Sequence, residues 1–147
     1  MISVSDALAQ LFDLAAPLEV ETVPLSSASG RVLAQTVHAN RDQPPFAASA
    51  MDGYAVRAQD VTPTSQLAVI GESAAGHGFS GTVQPGQAVR IFTGAPVPQG
   101  ATRVVIQEEV TRSDDTITLS DTLDSGMHIR SAGADFALGD AFTAPRR

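Results

Sequence analysis

The chain has 147 residues, of which 43% are hydrophobic, so it can bury a core and form one ordinary domain or two small ones. The lack of cysteine excludes a thiolate nucleophile, a disulfide framework and a cysteine-rich zinc site, and the lack of lysine excludes Schiff-base chemistry and a P-loop lysine. The net charge of −7 and the dispersed arginines make a nucleic-acid partner or an anionic membrane partner unexpected.

The first 40 residues predict a helix followed by short extended segments. Apolar residues recur at helical spacing over residues 3–15, where a serine and an aspartate three positions later resemble a capping box. Pro17 prevents much continuation of this helix. Residues 19–25 and 31–37 have the composition of strands, and a turn ending at Gly30 separates them.

From about residue 54 onward, short strands separated by turns are predicted. Ser113-Asp114-Asp115 marks the best hairpin candidate, and Glu108 and Glu109 are expected on one strand, with one side chain facing solvent and the other inward. Strands at near-regular spacing indicate a curled or barrel-like β domain. The predicted strands are residues 67–71, 88–92, 103–110 and 116–119.

The expected fold class is mainly β. An irregular, curled or barrel-like β domain is predicted over residues 41–121, and residues 1–40 with 122–147 are expected to form a small discontinuous α+β unit. The final residues, 144–147, do not look like a closing element, so we expect the chain to be cut from a longer one. No apolar run reaches the roughly 20 residues of a membrane span and the start lacks a signal-peptide pattern, so a cytoplasmic location without a membrane partner is expected.

Two loops join turn-forming residues to polar side chains that could face a ligand. Signature loop 1 is residues 44–56, PPFAASAMDGYAV, and signature loop 2 is residues 90–101, RIFTGAPVPQGA. Asp52-Gly53 also has an ordinary interpretation as a two-residue hairpin turn, because both residues tolerate positive φ. Thr93 could likewise do no more than bond its own backbone at a strand end.

Together these loops resemble the N-terminal half of the molybdopterin molybdenumtransferases, the MoeA and gephyrin-E family. Residues 49–56, SAMDGYAV, match one family signature and residues 90–98, RIFTGAPVP, match the other, in the same order and at the same separation. Residues 30–34, GRVLA, also agree. Residues 129–135, IRSAGAD, fit more loosely, because family members usually have glutamate where Ala134 stands, which weakens any anion-binding role for this turn.

The resemblance implies insertion of molybdenum into adenylylated molybdopterin, with molybdate as the metal source and Mg²⁺ assisting cleavage of the adenylate. Carried over by position, Asp52 and Thr93 are catalytic and Asp52 is also the Mg²⁺ ligand, since a carboxylate can hold Mg²⁺ or its waters. Ser49, Arg90 and Gly94 are implied to bind the cofactor. For Arg90, a salt bridge or a surface role is an equally good interpretation.

The resemblance also implies a homodimer of the full-length protein and a molybdopterin-adenylating protein as pathway partner. In the family, a later α/β domain holds most of the pterin and nucleotide site, so this chain is expected to supply one wall of the cleft and to be inactive alone. A stand-alone scaffold module of the same fold is the alternative, which the polar Asp52 and Thr93 disfavour. An unrelated β domain would explain the strands without the paired signatures. Molybdenum and tungsten are not distinguished.

Overall fold

The computed structural model describes residues 2–16 and 18–144. Contacts group these residues into two compact units: a central unit, His38–Ala141, and a terminal unit drawn from the residues on either side of it. Pro17, which is expected to prevent continuation of the first helix, and residues 145–147 of the tail, where a cut is expected, lie outside the described residues. None of the helices formed by the described residues has the length and apolar character of a membrane span.

The terminal unit begins with the predicted helix, α1 (Val4–Asp13). Its capping box is confirmed, because the Ser3 hydroxyl accepts a hydrogen bond from the Asp6 N–H at 3.1 Å and donates to the Asp6 carboxylate at 2.7 Å. This exchange satisfies one of the amide groups that a helix leaves unpaired at its start, and it places a negative charge in the first turn.

The two strands predicted before residue 38 are largely wrong. Residues 19–24 form no regular secondary structure and have no partner strand among the described residues, and a short 3-10 helix, Leu25–Ser27, follows them. Only β1 (Val37–His38) forms at the end of the second predicted strand. Valine and threonine favour extended backbone, but a strand also needs a neighbour to bond, and the sequence pattern does not supply one. The predicted turn is present, with Gly30 at a φ of +76°.

The central unit is built on one curled, six-stranded sheet, and the predicted mainly β class is confirmed. The six strands of this sheet are β3 (Gly53–Val56), β4 (Gln66–Ser73), β5 (Gln87–Ile91), β6 (Arg103–Ile106), β7 (Val110–Ser113) and β8 (Thr116–Leu119). Like β1, three further two-residue strands lie outside it: β2 (Ala48–Ser49), β9 (Ile129–Arg130) and β10 (Ala141–Phe142). The sheet has the order β6-β3-β5-β4-β8-β7, and only β4 and β5 are parallel. Strand β2 pairs with β9, and β1 pairs with β10.

The predicted hairpin is confirmed, but the strand predicted before it is interrupted. Strands β7 and β8 pair from Val110↔Leu119 to Ser113↔Thr116, around a turn in which Asp114 has a φ of +52°. The predicted strand 103–110 is instead β6, a 3-10 helix at Gln107–Glu109, and β7. Glu108 and Glu109 are therefore not on a strand. Strand β6 ends at Ile106 because Ile106 pairs with Gly53, the first residue of β3, and β3 has no further residue with which Gln107 could pair.

The central strands β3 and β5 are buried on both faces of the sheet, which makes them a firm support for the loops that adjoin them. All four residues of β3 are buried, and Ala88, Val89 and Ile91 of β5 are fully buried. Alternating side chains divide between two apolar clusters, as expected for a strand covered on both sides. One cluster contains Tyr54, Val56, Leu67, Ala88, Val105, Ile117 and Leu119, and the other contains Ala55, Val83, Val89, Ile91, Ala95 and Val104.

The grouping by contacts differs from the predicted domain division, in which residues 122–147 joined the N-terminal segment. Residues 122–141 group with the central unit instead. Strand β9 pairs with β2, and the Met127 carbonyl accepts a hydrogen bond from the Val104 N–H at 3.0 Å, so this segment is bonded to the β unit. Whether the two units correspond to domains of the protein stays a prediction.

Candidate functional site

The two signature loops lie against each other in the central unit. The Ser49 N–H donates to the Ala95 carbonyl at 2.9 Å, and the Gly94 N–H donates back to the Ser49 carbonyl at 2.8 Å. A third backbone bond, 2.9 Å long, runs from the Val97 N–H to the Ala47 carbonyl. Loops that are about 40 residues apart in sequence therefore form one bonded surface.

Asp52 and Thr93, the two predicted catalytic residues, are in direct contact. Oδ1 of Asp52 accepts hydrogen bonds from the Thr93 N–H at 2.8 Å and from the Thr93 hydroxyl at 2.9 Å. Asp52 precedes β3 and Thr93 follows β5 by two residues, and these antiparallel neighbours pair Gly53 with Ile91. The end of one strand thus meets the start of the other, which brings the two side chains together.

The interpretation of Asp52-Gly53 as a hairpin turn is wrong. Strand β2, before these residues, pairs with β9, whereas β3, after them, pairs with β5 and β6. Neither Asp52 nor Gly53 has a positive φ, which a two-residue hairpin turn of this composition requires. Asp52 lies instead in a bend that leads from one sheet into another.

The surroundings of Asp52 favour its ionised form. The hydrogen bond from the Thr93 N–H, followed by that from the Thr93 hydroxyl, lowers the pKa of Asp52 below its ordinary value; loss of solvent contact opposes this, and the Arg90 charge adds the weakest lowering effect. Both bonds go to Oδ1, and Oδ2 accepts none from the described part of the chain. The site is therefore a fixed carboxylate with one oxygen free to bind.

This carboxylate suits a magnesium ion that takes most of its ligands from elsewhere. Residues 2–16 and 18–144 contain no cluster of three or more acidic, histidine or cysteine side chains that could hold a metal. Magnesium is commonly held by one or two carboxylates and completed by water and substrate phosphates. Asp52 can supply one such ligand, and the Thr93 hydroxyl proton is already donated to it.

The three predicted cofactor-binding residues all make contacts inside the loops. The buried Ser49 hydroxyl donates to the Met51 carbonyl at 2.6 Å. Gly94 has a φ of +80° in the turn that follows β5, a conformation that favours glycine, and its N–H is bonded to loop 1. The Arg90 guanidinium donates to the Gly53 carbonyl at 3.2 Å and to Gln107 Oε1 at 2.8 Å. Their cofactor-binding roles stay predictions.

Two supports of the site could not be found from the sequence. The fully buried Ser73 on β4 donates its hydroxyl to the Pro96 carbonyl at 2.7 Å, which anchors loop 2. The His128 carbonyl accepts a hydrogen bond from the Ala50 N–H at 2.9 Å, which anchors loop 1. The His128 ring in turn contacts Asp124 Oδ2 at 2.6 Å. A serine in a strand and a histidine in a loop carry no pattern that predicts these contacts.

Replacing Thr93 with valine should raise the pKa of Asp52 toward its ordinary value, because one of two bonds to Oδ1 is lost. A depressed pKa in the folded state contributes stability above the unfolded pKa, and that stability is lost as pH falls through the folded pKa. In Thr93→Val this contribution should be smaller, and its loss on acidification should be complete at a higher pH. Titration of the Asp52 carboxyl ¹³C signal measures this.

Thr116→Val makes the same chemical change at an exposed position on β8 and serves as the control for the titration. It should leave the Asp52 titration unchanged. If Thr93→Val also leaves the Asp52 pKa unchanged, the threonine hydroxyl is not bonded to the carboxylate in solution.

Comparison with known proteins supports what the loops indicate. Residues 2–146 match the family model described as the MoeA N-terminal region (domain I and II). The chain is 37% identical to the molybdopterin molybdenumtransferase of Haemophilus influenzae, with 95% of this chain and 35% of the relative covered. It is 45% identical to molybdopterin molybdenumtransferase 2 of Mycobacterium tuberculosis, over 80% of this chain and 30% of that protein.

The fold agrees with a solved relative. A crystal structure of the molybdopterin biosynthesis MoeA protein from Pyrococcus horikoshii OT3 superposes with a TM-score of 0.81 at 36% identity, covering 95% of this chain and 38% of that one. The chain thus spans about a third of the length of the relatives it matches. From its sequence, its fold and its two bonded loops, the chain belongs to the family of MoeA N-terminal regions.

Proposed function

We propose that the chain is part of a molybdopterin molybdenumtransferase and supplies one wall of the site where molybdenum, taken from molybdate, enters adenylylated molybdopterin. The observation that carries this proposal is the Asp52–Thr93 contact, in which two loops hold a charged carboxylate with one free oxygen. The names of the relatives give the reaction class. A pure scaffold has no need of such a group, so this contact favours the enzyme over a non-catalytic module.

In this proposal Asp52 is the point at which the chain meets the reacting groups. Asp52 is ionised at neutral pH, its lowered pKa extends that state to more acidic conditions, and the Thr93 N–H holds Oδ1 so that Oδ2 keeps one direction. Oδ2 would hold Mg²⁺, which supplies positive charge beside the phosphate of the adenylate that is cleaved. Asp52 is thereby a binding and orienting group, and it transfers no proton in this scheme.

The remaining contacts to the substrate must come from outside this chain. The amides of Thr93, Gly94 and Ala95 donate to Asp52, Ser49 and Phe92, so the part of signature loop 2 beside Asp52 has no free row of N–H groups for a phosphate. The chain also lacks lysine and carries a net charge of −7. We therefore propose that a second subunit of a homodimer completes the cleft. We also propose that a molybdopterin-adenylating protein supplies the substrate and that the reaction takes place in the cytoplasm.

The test is a chimera in which residues 2–144 of this chain replace the matching third of the Haemophilus influenzae relative. In a strain without its own molybdenumtransferase, the chimera should restore molybdenum-cofactor formation, because 95% of this chain aligns with that relative at 37% identity. The isolated chain, expressed at the same level, should form none. A chimera that folds and accumulates like the parent protein but makes no cofactor would show that this wall lacks the proposed function.

A further inference from the structure

The Arg90 side chain touches both signature loops at once. Its guanidinium donates to the Gly53 carbonyl at 3.2 Å and to Gln107 Oε1 at 2.8 Å. Its central carbon lies 4.6 Å from the centroid of the Phe92 ring and 5.3 Å from that of the Tyr54 ring, both within the range of cation–π contacts. One side chain therefore has four protein partners on three segments of the central unit.

The pairing of strands β3 and β5 explains why the Arg90 side chain reaches these partners. Arg90 pairs with Tyr54 across the antiparallel strands β5 and β3, so the two side chains project from the same face. Phe92 is two residues further along and follows the same alternation just beyond the end of β5. Ala88, two residues before Arg90, is buried in the core on this face. Arg90 thus stands where the buried part of the face ends and the candidate site begins.

Two of its partners are the covalent neighbours of the proposed catalytic residues. Gly53 follows Asp52 in the chain, and Phe92 precedes Thr93. A contact that fixes Gly53 and Phe92 relative to each other also limits the separation of Asp52 and Thr93. The planar guanidinium can donate in two directions and still stack on a ring, whereas the compact ammonium of lysine cannot do both.

We propose that Arg90 is a positioning residue, which holds Asp52 and Thr93 in contact by bonding the Gly53 carbonyl and packing on the Phe92 ring. This differs from the predicted role of Arg90 as a direct ligand of the cofactor. The expected effect of Arg90 on turnover rests on the proposed function. Its expected effect on the Asp52–Thr93 contact does not, because that contact can be measured in the isolated chain.

Two substitutions separate positioning from anion binding. Arg90→Lys keeps the positive charge but loses the planar guanidinium that donates two hydrogen bonds and stacks on a ring. Phe92→Leu leaves Arg90 in place but removes the aromatic ring that it contacts. In the isolated chain, both should raise the pKa of Asp52, because its bonds from Thr93 loosen. In the chimera, both should lower kcat by about 10-fold or more, with KM for the adenylate changed by no more than about 2-fold.

Arg112→Lys makes the same chemical change at an exposed arginine on β7, which bonds the nearby Asp114 carbonyl, and it should alter neither quantity. If Arg90→Lys raises KM alone and Phe92→Leu has no effect, Arg90 is an anion ligand and the proposal is wrong. If Arg90→Lys fails to fold, Phe92→Leu decides between the two roles. If the two variants of the isolated chain raise the Asp52 pKa but the chimera without substitutions is inactive, the proposed function is wrong and the positioning role of Arg90 is retained.

Discussion

Replacing Asp52 with asparagine should reduce molybdenum insertion by about 100-fold or more and leave the melting temperature nearly unchanged. The asparagine amide oxygen can still accept both hydrogen bonds from Thr93, so the two loops stay joined. The negative charge is lost, however, and with it the ability to hold Mg²⁺ beside a phosphate. The comparison requires cofactor formation by the chimera and thermal unfolding of the same protein.

Asp52→Ala provides the structural half of this comparison. Alanine removes both acceptors, so Thr93 loses its link to loop 1, and we expect a lower melting temperature as well as lost activity. The asparagine variant should therefore differ from alanine in stability and match it in activity. Normal cofactor formation by Asp52→Asn would make Asp52 a structural connector between the loops, and the proposed metal contact would have to be abandoned.

The elements that the sequence predicts well are those determined by neighbouring residues. The α1 cap depends on Ser3 and Asp6, and the β7–β8 hairpin depends on the turn at Asp114, so a short stretch of sequence contains all the information. Residues 19–24 show the limit of this reasoning. Their composition favours a strand, but strand formation needs a partner from elsewhere in the chain, and the described residues provide none.

The candidate site also has one part that the sequence predicts and one part that it does not. The two loops were recognisable as patterns, and the resemblance selected Asp52 and Thr93, which the structure brings into contact. The direction of each neighbouring side chain was not predictable. The Ser49 hydroxyl turns back to Met51, and the Arg90 guanidinium turns to the Gly53 carbonyl, because of backbone positions that other strands determine. Residue type shows what a side chain can bond, whereas the fold determines which partner it meets.

Glycine at position 53 is required by a close approach of two backbones, and replacing it should be the most destabilising change in the loops. A Cβ atom at Gly53 would overlap the Val105 carbonyl oxygen and lie 2.9 Å from the Val105 carbonyl carbon and 3.0 Å from the Ile106 Cα. Neither neighbour can move freely, because β6 is paired to β3 along its whole length. Gly53→Ala should therefore cost about 3 kcal/mol of unfolding free energy.

Gly78→Ala is the matched control, since it adds the same methyl group to a glycine of the same unit. A Cβ there would meet only the Pro96 ring, at 3.5 Å, which is ordinary contact, and Gly78 has no positive φ. Its effect on the free energy of unfolding should be small, within about 1 kcal/mol, because alanine lowers the conformational entropy of the unfolded chain and this offsets part of any cost in the folded state. Urea unfolding of both variants with the parent chain measures the difference.

Gly53→Asn distinguishes close approach from turn geometry. If glycine were needed for a positive φ, asparagine would be tolerated better than alanine, because its side chain stabilises that conformation. Where the obstacle is the Val105 carbonyl, any Cβ meets it, so asparagine should destabilise at least as much as alanine. Displacement of β3 from β6 would also carry Asp52 away from Thr93, and the pKa of Asp52 should rise in both variants. An asparagine variant as stable as the parent chain would show that a Cβ atom at position 53 can be accommodated, and the close approach of β3 to β6 would then not explain the glycine.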